Sequence, residues 1–197
     1  MIVPHDHTRT SHRLKGHDYT EPGYYFITVC VENRECIVGK VAAGQVELNE
    51  SGRFVDYRIR ECCAGLSSVF VDTYVMMPNH VHILFGVIAV EAEGAKHSRT
   101  IEIEVQGHER ANAWPLQGDR PARGTKGGSI GAIVQNLKSV TSRGINRLRG
   151  TLGCPVWQRD YYDHVVRDVD ELDRIRTYIE QNPARWNEDK ENPENQS

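Results

Sequence analysis

Two strand-like runs, SVFVDTYVMM (68–77) and HVHILFGV (80–87), flank the dipeptide Pro78-Asn79, and no other feature of this 197-residue chain limits its fold so strongly. Both runs are rich in β-branched and aromatic residues, and Pro-Asn is a turn signal, so the segment reads as a β-hairpin. In the second run Val81, Ile83 and Phe85 share one face, because successive side chains of a strand alternate. His80 and His82 fall on the opposite face with Leu84. Two imidazoles are thereby aimed the same way, off the main core.

Around this hairpin the chain alternates strand and helix patterns. GYYFITVCVEN (23–33) reads as a strand and ECIVGKVAAGQVELN as one or two short strands. ESGRFVDYRIRECC reads as a helix, with Phe54, Tyr57 or Arg58, and Cys62 at helical spacing. Residues 89–128 lose periodicity and carry six of the seventeen glycines, so a long variable insertion is expected there. SIGAIVQNLKSVTSRGINRLRG resumes a helical pattern with Ile130, Ile133, Val134, Leu137 and Val140 as its apolar stripe, Lys138, Ser139, Ser142 and Arg143 opposite, and Gly144 as a point of kinking. PVWQRDYYDHVV is a last strand region. RDVDELDRIRTYIEQNP is a helix with Asp168 as N-cap, acids in its first turn, Val169, Leu172, Ile175 and Ile179 as buried stripe, and Pro183 at its end. The expectation is one domain over 1–187, with the insertion at about 89–128 and a disordered tail at 188–197.

Charge narrows the partners. The chain carries a net charge of −3, yet the stretch from Asp119 to Arg149 has seven Lys/Arg and one acid, while Asp168 to Ser197 has four Lys/Arg and nine acids. A local basic band can meet a phosphate backbone without making the whole protein basic, although a solvated helix face accounts for such a band equally well. No apolar run reaches the roughly 18 residues that a membrane helix needs. The start, MIVPHDHTRTSHRLKGHDY, is polar and His-rich rather than shaped like a signal peptide, which makes a cytoplasmic location the expectation. Five cysteines without CxxC spacing argue against a disulfide framework or a cysteine zinc site.

On chemistry alone, an H-x-H pair on a strand has two readings: hydrogen-bonded histidines on a sheet surface, or two ligands converging on one metal ion. The segments RLKGHDYTEPGYYFITVCVENRE, YVMMPNHVHILF and VWQRDYYDHVVRDVDELDRIRTYIEQNP, in this order between about 13 and 183, resemble the REP-associated tyrosine transposases, a group of the single-tyrosine His-hydrophobic-His (HUH) transposases. The resemblance implies an α+β fold, a ferredoxin-like or RRM-like antiparallel sheet with helices on one face. It implies that His80 and His82 hold a divalent cation, magnesium or manganese, that Tyr178 is the nucleophile, and that Asn182, one helical turn on, completes the metal shell. Related insertion-sequence transposases carry glutamine at the position of Asn182, and Pro183 is expected to pull Asn182 out of helical geometry.

The implied reaction is cleavage and rejoining of single-stranded DNA through a 5′-phosphotyrosine, with hairpin-forming repeats as substrate and a second copy of the chain as an optional partner. Lys138, Arg143, Arg147 and Arg13 are the expected phosphate contacts. His164 matches a recurrent family position whose role is DNA contact, proton transfer or packing. Two rival functions use the same residues differently: a hairpin-binding protein without catalysis needs the basic band but not Tyr178, and a zinc hydrolase needs the histidines but not DNA.

Overall fold

The structure, a computed structural model, describes residues 17–89 and 128–195. The expected insertion, apart from its ends, and Arg13 lie outside the described residues. A four-stranded antiparallel sheet is built from β1 (Gly23–Cys30), β4 (Val69–Met76), β5 (His80–Val87) and β6 (Tyr162–Val165) in the order β4-β5-β1-β6. With α1 (Glu50–Glu61) between β1 and β4, and α2 (Ile130–Arg149) between β5 and β6, the path is β-α-β-β-α-β with the fourth strand beside the first. That is the ferredoxin-like arrangement. A small hairpin of β2 (Gly39–Ala42) and β3 (Gln45–Leu48) is inserted before α1, and α3 (Val169–Gln181) follows β6.

Every residue of β5 is buried, which places this strand inside the sheet with both faces covered. On one face Ile27, Val29, Val81, Ile83 and Phe85 pack with Val55 and Ile59 of α1 and with Ile130, Val134, Leu137 and Ile145 of α2. On the other face, Phe26 and Leu84 meet Leu172, Ile175 and Ile179 of α3. The α+β architecture is as expected, with α1 and α2 together on one side, and α3 adds a cover to the other. Each helix starts on a capping side chain: Asn49 accepts from Gly52 N at 2.9 Å, Ser129 from Ala132 N at 3.3 Å, and Asp168 from Glu171 N at 2.7 Å. Such caps contribute about 1 kcal/mol each.

Four local expectations are corrected. α1 buries Ser51, Gly52, Val55 and Ile59, and Tyr57 is exposed, because the aromatic residues that suggested a stripe sit to either side of the true contact line. α2 runs unbroken through Gly144, where an added Cβ would lie 2.0 Å from the Phe54 ring, so the glycine admits a close crossing of α1 and α2 rather than a kink. Val169 is 70% exposed, since the first turn of α3 overhangs the sheet. Finally, residues 188–195, expected in a disordered tail, are folded: Pro183–Glu188 and Pro193–Asn195 form 3-10 turns and Asn192 is buried. The Asn192 side chain donates to Trp186 O at 3.2 Å and accepts from Glu194 N at 3.1 Å, tying the two turns together.

Candidate active site

β5 begins with the two histidines, and its register sets Thr28 opposite His82 and Cys30 opposite His80. Nδ1 of His82 lies 2.8 Å from Thr28 Oγ1, and Nδ1 of His80 lies 2.9 Å from Asn79 Oδ1. The Asn79 amide nitrogen donates to Arg34 O at 2.9 Å and to Glu191 O at 2.6 Å, which fixes Oδ1 as the acceptor facing His80. Nδ1 of His80 therefore carries the proton and donates, leaving a lone pair on Nε2. Burial, aided by His82 and Arg34, holds the His80 pKa well below its ordinary value, so the ring is neutral at physiological pH.

The two Nε2 atoms then face each other at 3.1 Å. The phenolic oxygen of Tyr178 joins them, 3.2 Å from His82 Nε2, and the Tyr178 ring packs edge-on against those of His82 and Phe26. Burial pushes the phenol up to about 12; the Asp189 carboxylate adds to the rise and a hydrogen bond with the Asn182 side chain opposes it. Asn182 keeps helical backbone angles, φ −55° and ψ −44°, with Pro183 opening the following 3-10 turn. The expected displacement by Pro183 does not occur. The bias of a pre-proline residue against helical geometry is overridden here, and Tyr178 and Asn182 remain one helical turn apart.

Asn182 is only 5% exposed, and its Oδ1 is buried with no hydrogen-bond partner among the described residues. An unpaired buried acceptor costs about 1–3 kcal/mol, which points to a ligand it is built to meet. Two imidazole nitrogens 3.1 Å apart, each ring oriented through Nδ1 by a fixed side chain, are the donor arrangement a divalent cation requires, because ligands at roughly 2.0–2.1 Å from one ion lie about 3 Å from each other. The two imidazoles fit such an ion, and the orphaned Asn182 oxygen is an uncharged donor on the same helix margin as Tyr178. Among the described residues no group of three or more His, Cys, Asp or Glu side chains is arranged to hold a metal.

Sequence reasoning missed the cover of this site. Residues 183–195 bring the Trp186 ring to 6.2 Å from that of His80 and Asp189 Oδ2 to 3.8 Å from His80 Nε2, while Glu191 pairs with Arg34 at 2.8 Å. A tryptophan in an otherwise polar stretch was the available signal.

The expected phosphate contacts divide. Arg143 and Arg147 are exposed on α2. Lys138 is turned inward, its Nζ donating to the carbonyls of Gln158 at 2.6 Å and Arg159 at 2.8 Å, and burial lowers its pKa. This lysine stitches the 158–160 loop to α2 and is removed from the candidate DNA contacts. His164 bonds Glu171 Oε1 at 2.9 Å, so of its three roles packing against α3 is the one with a partner in place.

Fold and site together define a ferredoxin-like α+β protein with buried His80, His82 and Asn182 and a partly buried Tyr178 on the α3 face of its sheet. The chain is 33% identical over 188 residues to an uncharacterized protein of Haemophilus influenzae, covering 93% of this chain and 92% of that one, and belongs to the same family. No family model matches it. Among solved structures it is similar to a REP-associated tyrosine transposase bound to a REP hairpin, with 12% identity, 88% of this chain, 74% of that chain and a TM-score of 0.49. It is also similar to a candidate transposase of Deinococcus radiodurans, with 16% identity, 86% of this chain, 98% of that chain and a TM-score of 0.44. Superpositions at these scores assign no function. Among the described residues no helix is long and apolar enough to cross a membrane.

Proposed function

We propose that the protein cleaves and rejoins single-stranded DNA at hairpin-forming sequences, in the manner of the REP-associated tyrosine transposases, with Tyr178 as nucleophile. The observation that carries this reading is the convergence of the Tyr178 hydroxyl on the facing Nε2 atoms of His80 and His82. The same three groups and Asn182 match, residue for residue, the motif positions of that family.

The step balances as a transesterification. The Tyr178 oxygen forms a bond to phosphorus, the bond from phosphorus to the 3′-oxygen breaks, and the phenolic proton ends on the departing 3′-hydroxyl or in solvent. The products are a 5′-phosphotyrosine and a free 3′-hydroxyl, so the phosphoryl bond is conserved and a DNA 3′-end reverses the step without ATP. Phe26 and His82 hold the phenol ring in place, which presents its oxygen at one orientation. When bound, a divalent cation, manganese or magnesium, held by His80 Nε2, His82 Nε2 and Asn182 Oδ1, supplies charge neutralisation at the non-bridging oxygens of the scissile phosphate. Arg143 and Arg147 on the exposed face of α2 contact backbone phosphates, which positions DNA without reading its sequence.

The test is covalent. With single-stranded hairpin DNA labelled at its 3′ end and manganese present, label should stay on the protein through denaturing electrophoresis and map to Tyr178. DNA that is bound but never cut or joined to any tyrosine replaces this reading with that of a hairpin-binding protein.

A further inference from the structure

β4 has an irregularity beside α3. Val71 pairs with Phe85 and Thr73 pairs with Leu84, so Asp72 has no partner across the ladder. A bulged residue bends its strand and re-aims its side chain, and bulges collect next to active sites. Here the carboxylate of Asp72 reaches the nucleophile's helix: Oδ2 accepts from Arg176 Nε at 2.8 Å and Oδ1 accepts from Arg176 Nη2 at 2.7 Å. The guanidinium also lies 5.7 Å from the centre of the Tyr24 ring, and its Nη1 is 3.5 Å from Asp173.

Stability is a poor account of this pair. Arg176 is 41% exposed although Asp72 is only 14% exposed, so solvent screens the pair from its guanidinium side and its share in folding is modest. A two-pronged contact between guanidinium and carboxylate, however, fixes orientation as well as distance. Orientation is what the apolar seam of α3 cannot set. Its apolar seam is Leu172, Ile175 and Ile179 against Phe26 and Leu84, and apolar attraction is non-directional. At 3.6 residues per turn, Arg176 lies on one margin of that seam while Tyr178 and Asn182 lie on the other. Rolling the helix on its seam lifts one margin and lowers the other.

We infer that Asp72 and Arg176 are positioning residues that set the roll of α3, and with it the reach of the Tyr178 hydroxyl toward His82. The inference rests on Tyr178 being the nucleophile. A roll of about 10° moves an atom some 6 Å from a helix axis by about 1 Å, and a displacement of about 1 Å in a reacting group can cost on the order of 100-fold in rate. The N-terminal end of α3 is held independently, where Glu171 accepts from His164 at 2.9 Å and from Arg167 N at 2.8 Å. Glu171 thus ties the Tyr178 margin at the first turn and the Asp72–Arg176 fork ties the opposite margin, so the two together remove roll.

The test uses the full chain with Asp72→Asn and Arg176→Lys; the second keeps the charge but loses the fork. Three quantities are read: the thermal midpoint, the single-turnover rate of adduct formation with saturating hairpin DNA, and the ¹⁹F line of 3-fluorotyrosine placed at position 178. The expected result is a rate lowered roughly 10- to 100-fold, an unchanged thermal midpoint, and a shifted or broadened ¹⁹F line in both variants. Wild-type rates with an unmoved line overturn the inference, and so does a thermal midpoint that collapses in both variants, which would make the pair a structural brace. If the wild-type protein forms no adduct with any hairpin DNA, the proposed function fails, and the ¹⁹F line alone then decides the role of the pair.

Discussion

The oxygen of Tyr178 and Nε2 of His82 stand 3.2 Å apart although 96 residues separate them in the chain. Central strand and last helix meet at this point, and the chemistry assigned to the site depends on that contact.

Tyr178→Phe keeps the ring that packs on His82 and Phe26 and removes only the attacking oxygen. Fold and hairpin affinity should stay within about twofold of wild type, while cleavage falls below detection. Cutting at the wild-type rate by the variant would remove Tyr178 from the reaction. A label mapped to Tyr161 or Tyr162 would move the site while leaving the chemistry in place.

EDTA should abolish cleavage, and manganese should restore it at least as well as magnesium, because imidazole nitrogen is a softer donor than magnesium prefers. The double change His80→Ala/His82→Ala should lose manganese binding in calorimetry together with cleavage, and retain most hairpin binding. Undiminished manganese binding in that protein would place the ion elsewhere.

Replacing Asn182 tests its orphaned oxygen in two directions. Asn182→Leu removes a buried acceptor that lacks a partner together with the amide's hydrogen bond to the Tyr178 hydroxyl, so the two changes offset and the metal-free protein should stay within about 1 kcal/mol of wild type in urea titrations. The same variant should bind manganese at least 10-fold more weakly. Loss of stability with unchanged metal affinity would make Asn182 a packing residue.

The cations of α2 should separate by their direction. Arg143→Ala with Arg147→Ala should flatten the slope of log affinity against log salt by about 2, one unit for each guanidinium that no longer neutralises a phosphate. Lys138→Met should leave that slope unchanged and lower the thermal midpoint, because it frees the carbonyls of Gln158 and Arg159 inside the fold. A slope change from Lys138→Met and none from the arginine pair would reverse these assignments.

What could be read from the sequence follows the range of the forces involved. The Pro78-Asn79 hairpin, the shared face of His80 and His82, the Asp168 cap and the common margin of Tyr178 and Asn182 are consequences of local period, and each appears as expected. Tyr57 and Val169 look apolar in a helical window, but their exposure is decided by where each helix crosses its neighbour. Lys138 carries the charge of a DNA contact, and only the return of the 158–160 loop shows it to be turned inward. Trp186, Asp189 and Glu191 reach the site because the polar stretch after α3 folds back across β5, a path with no periodic signature. The Asp72 bulge is likewise invisible in a run that reads as regular alternation.

The two carbonyls that hold the Asn79 amide come from Arg34 and from Glu191, one before α1 and one after α3. An asparagine held this way cannot turn over end for end without setting its nitrogen against His80 Nδ1. The amide acts as a latch on an imidazole tautomer, and residues 112 positions further along the chain keep it closed. Cutting the chain between Pro183 and Glu191 would therefore do more than uncover the histidines. It would take away one of the two carbonyls that hold the amide and leave Arg34 O alone to oppose the flip that lets the His80 proton migrate to Nε2, where it displaces the lone pair that the site offers to a cation. Nitrogen-15 spectra of the His80 side chain, before and after such a cut, would register that migration without any DNA present.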